Sequence, residues 1–325
     1  MRSMTGHSEE GPTAELDAAG ALASALGDAL GDVVIGRPEA IRLALIALLS
    51  GGHLLIEDTP GVGKTLLAKA LARAIGGTMS RVQGTPDLLP SELTGVSIYD
   101  AAGGEWRFHP GPLFAHVVMF DELNRTTPRT QSALLEAMQE HQVSVDGVTH
   151  ALPRPFFVVA TQNPTEQTGT FPLVESQRDR FAVAAAIGYP PRESERTMLL
   201  GPGGQDALER LIPLTSPAEL AEAQTAVRHI HVAPAVADYV IDLATETRRD
   251  PAVEIGASPR ANLDVVHTAQ AHALLSGRDF VSPQDVQAVA GAALGHRLVL
   301  RGQGEWGAAT ALVADIVGRV PVPRG

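Results

Sequence analysis

Residues 53–65 read His53-Leu-Leu-Ile-Glu-Asp-Thr-Pro-Gly-Val-Gly-Lys-Thr65. His53 to Glu57 is a short apolar strand, and a helical pattern follows through Ala74. Between them, Pro60-Gly61-Val62-Gly63-Lys64-Thr65 has the shape of a phosphate-binding loop. Its glycines let backbone N–H groups curl around phosphate oxygens without Cβ clashes, and the helix N-terminus adds a positive dipole end. Lysine reaches the outer phosphates, and the threonine hydroxyl is a magnesium ligand. The full pattern asks for glycine five residues before Gly63, where this chain has Asp58. The competing reading is a glycine-rich helix cap with an incidental lysine. Only two of the 25 basic residues are lysines, Lys64 and Lys69, which argues against chance.

Two further apolar strands lie downstream. Val117 to Phe120 ends at Asp121-Glu122, and Phe156 to Ala160 ends at Thr161-Gln162-Asn163-Pro164. Strands separated by helices and ending in polar residues predict an open α/β sheet, with its ligand beyond the carboxyl ends of the strands. After a phosphate loop, Asp121 is placed to hold magnesium and Glu122 to deprotonate an attacking water. Asn163 is placed to hydrogen-bond the γ-phosphate or that water; an Asn-Pro turn is the plainer reading. Two hairpins look inserted, Val143 to Thr149 around Asp146-Gly147, and Val96–Tyr99 with Glu105–Phe108.

Upstream, Ala14–Leu30 and Pro38–Leu49 read as helices. After Tyr189-Pro190-Pro191 the strand pattern stops, and helices are predicted at 217–228, 233–248, 258–276 and 282–294. The domain reading is a disordered tail over 1–12, an α/β domain over 13–190, a linker over 191–212 and a helical domain over 213–325. Ser258-Pro259-Arg260 is an N-cap, a first-turn proline and a first-turn cation. That cation opposes the helix dipole, so an anionic partner is expected for Arg260. Arg178 and Arg180, in Glu175-Ser-Gln-Arg-Asp-Arg-Phe181, can each reach a neighbouring subunit. His229 and His231 read as incidental surface histidines.

The net charge of -12 and the lack of a basic run speak against nucleic acid as a partner. With no cysteine, disulfides, thiolate metal sites and thiol nucleophiles are excluded. No signal-like or membrane-spanning stretch is evident, so the expectation is a cytoplasmic protein without direct membrane insertion.

Taken together, the chain resembles the MoxR family of AAA+ ATPases from about residue 15 to 320. The resemblance is carried by Leu55–Thr65, Gln83-Gly-Thr-Pro-Asp-Leu-Leu-Pro-Ser91, Phe108-His-Pro-Gly-Pro112 and Asp121-Glu-Leu-Asn-Arg125. Thr130–Met138, Ala160–Pro164, Asp179-Arg-Phe181 and Gly256-Ala-Ser-Pro-Arg260 complete it. The family often has Glu-Asp ahead of the loop, which accommodates Asp58. Gly84 departs from it, standing where an aromatic is expected.

The resemblance implies a P-loop AAA+ αβα core with a parallel sheet, followed by an all-α lid domain. ATP and Mg²⁺ are the implied ligands, with the nucleotide between the α/β domain and the lid. Lys64 and Thr65 correspond to Walker A, Asp121 and Glu122 to Walker B, Asn163 to sensor 1 and Arg260 to sensor 2. Arg180 is similar to an arginine finger. Val34, Ile35 and Gly36 look like the segment that touches adenine. The nucleotide-binding set is then Val34, Ile35, Gly36, Pro60, Gly61, Val62, Gly63, Lys64, Thr65 and Leu66, with Thr65 and Asp121 for the metal. The two hairpins match inserts that face the pore of a ring. The family further implies a hexameric homo-oligomer, chaperone-like remodelling, and a partner bearing a von Willebrand factor A domain. An ATP-gated binding switch, a magnesium-chelatase-like subunit and a DNA motor are the competing expectations.

Overall fold

The computed structural model describes residues 12–163, 169–201, 203–302 and 307–323. The tail expected over 1–12 falls outside them apart from Pro12, which opens helix α1 (Pro12–Val33).

Five parallel strands form the central sheet, in the order β2 (Met79–Gln83), β5 (Val117–Asp121), β8 (Phe157–Gln162), β1 (Leu54–Glu57), β9 (Val183–Ala185). The three central strands are apolar on both faces because both faces are covered. Alternate residues serve two cores: Ile56, Met119 and Val159 face one, Leu55, Phe120 and Val158 the other. The expected strands lie within a residue or two of the observed ones. The edge strands β2 and β9 have no counterpart in the sequence reading. β2 carries three polar residues and buries only Val82, and β9 has three residues, so neither shows an apolar run.

The first core is closed by α1, α2 (Pro38–Leu49) and α3 (Lys64–Ala74). The second lies under α5 (Pro128–Glu140). Both hairpins form. β3 (Gly95–Asp100) pairs with β4 (Glu105–Pro110), and β6 (Gln142–Val145) with β7 (Val148–Ala151). Asp146 and Gly147 both have positive φ, the geometry of a type I′ turn. Short helices α4 (Pro90–Thr94) and α6 (Glu175–Arg178) precede β3 and β9.

The segment 191–212 carries two helices, α7 (Arg192–Leu200) and α8 (Gly204–Arg210). Beyond it come α9 (Pro217–Arg228), α10 (Pro234–Arg249), α11 (Pro259–Leu275), α12 (Pro283–Leu294) and α13 (Ala308–Arg319). The expectation of an all-α C-terminal part needs one correction. β10 (Val253–Ile255) and β11 (Val299–Leu300) form an antiparallel ribbon, too short to leave an alternating pattern. These helices share the first core: α11 packs on α1 and α2, and α12 packs against β9. The C-terminal part thus sits beside the sheet, at its β9 edge.

Candidate functional site

The loop after β1 is built around two left-handed glycines, Gly61 (φ 86) and Gly63 (φ 100). Gly63 caps α3 without a side-chain bond, so no side chain competes for the first N–H groups of the helix. Asp58 does not need to be glycine, because it is not among the residues with positive φ. Its buried carboxylate does other work. Oδ1 accepts from Thr59 N at 2.7 Å; Oδ2 accepts from Ile187 N at 2.8 Å and Gly188 N at 2.6 Å. The departure at this position therefore ties the loop to the segment after β9. Lys64 donates to the Asp58 carbonyl. Burial lowers the Lys64 pKa, and Asp58, Asp121 and Glu122 pull it back up.

A cavity of about 390 Å³ opens above the loop. It is lined by Lys64, Thr65, Leu66, Asp121, Glu122 and Asn163, together with Pro60, Gly61 and Gly63. Most of the predicted phosphate and acid residues thus share one space. Asp121 and Thr65 offer a carboxylate and a hydroxyl there. Among the described residues no group of three or more His, Cys, Asp or Glu could hold a metal. That donor set suits a magnesium ion carried largely by phosphates and water, with one carboxylate from the protein.

Two lining residues of β2, Arg81 and Gln83, were given no role at the site by the sequence reading. Arg81 Nε donates to Asp121 Oδ2 at 2.7 Å, and Gln83 Nε2 donates to Glu122 Oε2 at 3.0 Å. Two same-face positions of β2 thus meet both acids. Arg-x-Gln beside an acid-ended strand was the available signal, hidden because β2 itself was not recognised. Glu122 has φ 55 and ψ 50, a left-handed backbone for a non-glycine residue. Its N–H donates to Thr161 Oγ1 at 3.0 Å, and its carboxylate also accepts from Arg125 Nη1 at 3.1 Å.

Gly84 explains how that backbone fits. Its N–H donates to the Asp121 carbonyl at 2.7 Å. A Cβ at Gly84 would overlap the Glu122 carbonyl oxygen and lie 2.9 Å from that of Asp121. No side chain fits there while Glu122 holds this conformation. Gly84→Ala is expected to cost about 1–3 kcal/mol of stability and to lower ATP turnover by displacing Glu122. Thermal melts and ATPase assays check this; an unchanged melt and rate would show that the strand yields freely.

Val34 is buried and Gly36 has φ 73. A Cβ on Gly36 would meet the Ser194 side chain, and one on Gly204 would meet Val33 and Leu66. Helix α7 therefore packs over Gly36 and α8 over Val33 and Leu66, a role the linker reading missed. Val34, Ile35, Gly36 and Val62 do not line the phosphate cavity itself. Next in the chain, Arg37 is buried, and its Nε and Nη1 have no hydrogen-bond partner among the described residues.

Arg180 and Arg260 lie elsewhere. His53 immediately precedes β1 and the phosphate loop follows it, four strand residues or about 13 Å away. Ala182 N donates to the His53 carbonyl, so the Arg178–Phe181 segment sits at the His53 end of the sheet. Ser258, which caps α11, donates to both Asp179 oxygens at 3.1 Å. Arg297 binds Asp264 and the Phe181 carbonyl and lies 3.5 Å from Asp179. This junction pins the start of α11, with exposed Arg260, next to Arg180. Among the described residues Arg260 makes no side-chain hydrogen bond or ion pair. Arg180 donates to the Leu135 carbonyl at 2.6 Å. Burial pushes His53 down to about 4, with the charges of His141 and Arg260 adding to it, against a hydrogen bond to the Met138 carbonyl. His53 is thus neutral at pH 7 and adds no charge to this arginine face. Arg178 faces a separate cavity of about 810 Å³ between β9 and the C-terminal helices, which holds no phosphate-loop residue. In its own chain Arg260 does not reach the phosphate cavity, and the C-terminal helices do not cover it.

Comparison with known proteins follows the same division. Residues 53–183 match the ATPase family associated with various cellular activities (AAA), and residues 245–316 match the AAA lid domain. The chain is 44% identical to the uncharacterized protein YeaC of Bacillus subtilis, over 90% of this chain and 92% of that one. It is 42% identical to chaperone MoxR1 of Mycobacterium tuberculosis, over 82% of this chain and 73% of that one. A crystal structure of a Cytophaga hutchinsonii protein assigned as an ATPase superposes with a TM-score of 0.84. It shares 32% identity and covers 95% of this chain and 97% of its own. With relatives of this identity aligned through both domains, the chain belongs to the MoxR family of AAA+ ATPases.

Proposed function

We propose that the protein hydrolyses Mg-ATP at sites completed between subunits of a ring, and uses the cycle to remodel other proteins. The carrying observation is the separation within one chain. Lys64, Thr65, Asp121, Glu122 and Asn163 share one cavity, while Arg180 and Arg260 sit together at the other end of the sheet. Two cations with no anion among the described residues of their own chain suit a neighbour's phosphates.

In this reading Lys64 leaves the Asp58 carbonyl for the outer phosphates. Thr65 and Asp121 hold magnesium, which neutralises phosphate charge when bound. Glu122 turns from Gln83 and Arg125 to deprotonate the attacking water, which Asn163 orients. Arg180 and Arg260 approach from the next subunit. Because Asp179 joins the Arg180 segment to α11, the C-terminal helices and the arginine face move as one unit. The exposed Tyr99–Trp106 pair on the β3–β4 hairpin, with rings 5.5 Å apart, suits contact with a client chain. A hexamer and a partner with a von Willebrand factor A domain belong to the proposal on family resemblance. Among the described residues no helix is long and apolar enough to cross a membrane.

ATP turnover per chain is expected to rise with protein concentration, alongside a light-scattering mass near six chains in ATP. Concentration-independent turnover by a monomer would overturn completion between subunits.

A further inference from the structure

We propose that Arg81 is a second cation of the phosphate site, one that exchanges Asp121 for the terminal phosphate of the chain's own nucleotide. The inference rests on the ATP reading above and adds a residue to it. Arg81 lies in β2 opposite Met119 of β5, two positions before Gln83, which lies opposite Asp121. Both side chains therefore rise on one face toward the acid pair. The Arg81 guanidinium lines the same cavity as Lys64, Asp121 and Glu122.

The ion pair is lopsided. The Asp121 side chain is 12% exposed, whereas that of Arg81 is 55% exposed. β2 is an edge strand, so no further strand flanks Arg81 on its outer side. A half-exposed ion pair contributes little to folding, so stability does not account for an arginine at this point. The cavity does.

Asp121 is also the carboxylate available for a divalent cation. One oxygen pair cannot serve both a guanidinium and a metal fully, and the two cations repel at such short range. Once Asp121 turns to the metal, the nearest anion for Arg81 is the phosphate chain in the same cavity. A guanidinium suits that target because its planar fork donates two parallel hydrogen bonds to phosphate oxygens. Arg81 then links arrival of the metal to contact with the third phosphate. This contact comes from within the subunit and is separate from the arginines at the His53 end of the sheet.

The test uses the full chain on a Glu122→Gln background, so that ATP persists. Binding of fluorescent ATP and ADP analogues is measured in Mg²⁺ and in EDTA. Arg81→Ala is expected to weaken ATP binding in Mg²⁺ by about tenfold, the worth of one charge-assisted hydrogen bond, and to leave ADP binding unchanged. In EDTA, where Arg81 stays on Asp121, the ATP effect should shrink below about twofold. Arg81→Lys should recover part of the loss, since it keeps the charge without the fork. Equal losses for ATP and ADP would overturn the proposal, because they indicate a structural role. Unchanged or tighter ATP binding in Mg²⁺ would overturn it too, leaving Arg81 as a mere counter-ion of Asp121. If the unsubstituted chain and the Glu122→Gln parent both bound no ATP, the nucleotide reading itself would fall instead.

Discussion

Glu122→Gln is expected to lower ATP turnover by about a hundredfold or more while ATP still binds. The amide has nearly the same shape as the carboxylate but cannot take a proton from water. It keeps an oxygen that can accept from Gln83 Nε2 or Arg125 Nη1, so the left-handed turn at residue 122 has no reason to collapse. Lys64, Thr65 and Asp121 are untouched, so affinity for Mg-ATP should hold. The measurement is steady-state turnover beside equilibrium binding of labelled ATP. Turnover like that of the parent would remove Glu122 as the base. Loss of binding together with turnover would mean that the substitution had disturbed the loop instead.

Arg180→Ala should lower turnover about a thousandfold if its guanidinium completes a neighbour's site, the low end of what such arginines supply. Binding by isolated chains should not change, because Arg180 sits at the end of β9 far from its own phosphate loop. The decisive form of the experiment mixes two inactive variants. An Arg180→Ala subunit keeps its own cavity intact, and a Glu122→Gln subunit keeps its arginine. Where the second donates to the first, a complete site forms, and the mixture should exceed either parent. No gain on mixing, in assemblies shown to contain both chains, would rule out action between subunits. Arg178→Ala serves as the contrast. Arg178 faces the other cavity, so its loss should leave turnover near that of the parent.

Much of this protein is local chemistry and could be read from the chain. The phosphate loop needs glycines at 61 and 63 for backbone reasons that hold in any fold. β5 and β8 are buried on both faces, so their apolar runs stand out. The Asp-Gly turn at 146–147 and the proline-led helices α9 to α12 follow from dihedral preferences of single residues. What failed to show lies at edges and junctions. β2 and β9 have one open side, so burial does not write a pattern into them. The 191–212 segment looked like a linker because α7 buries none of its residues, though it packs over Gly36.

By itself the sequence determined the strand-loop-helix that can hold phosphates, the acids at the next strand's end and the run of helices behind them. Each depends on residues within a few positions of one another, where spacing and turn geometry carry the information. Tertiary structure alone decided that Arg81 and Gln83 meet the two acids, that Gly84 makes room for Glu122, and that Arg260 stands with Arg180 away from the loop. Those contacts join residues about 40 to 80 positions apart. Only strand order and the packing of the C-terminal helices against β9 bring them together.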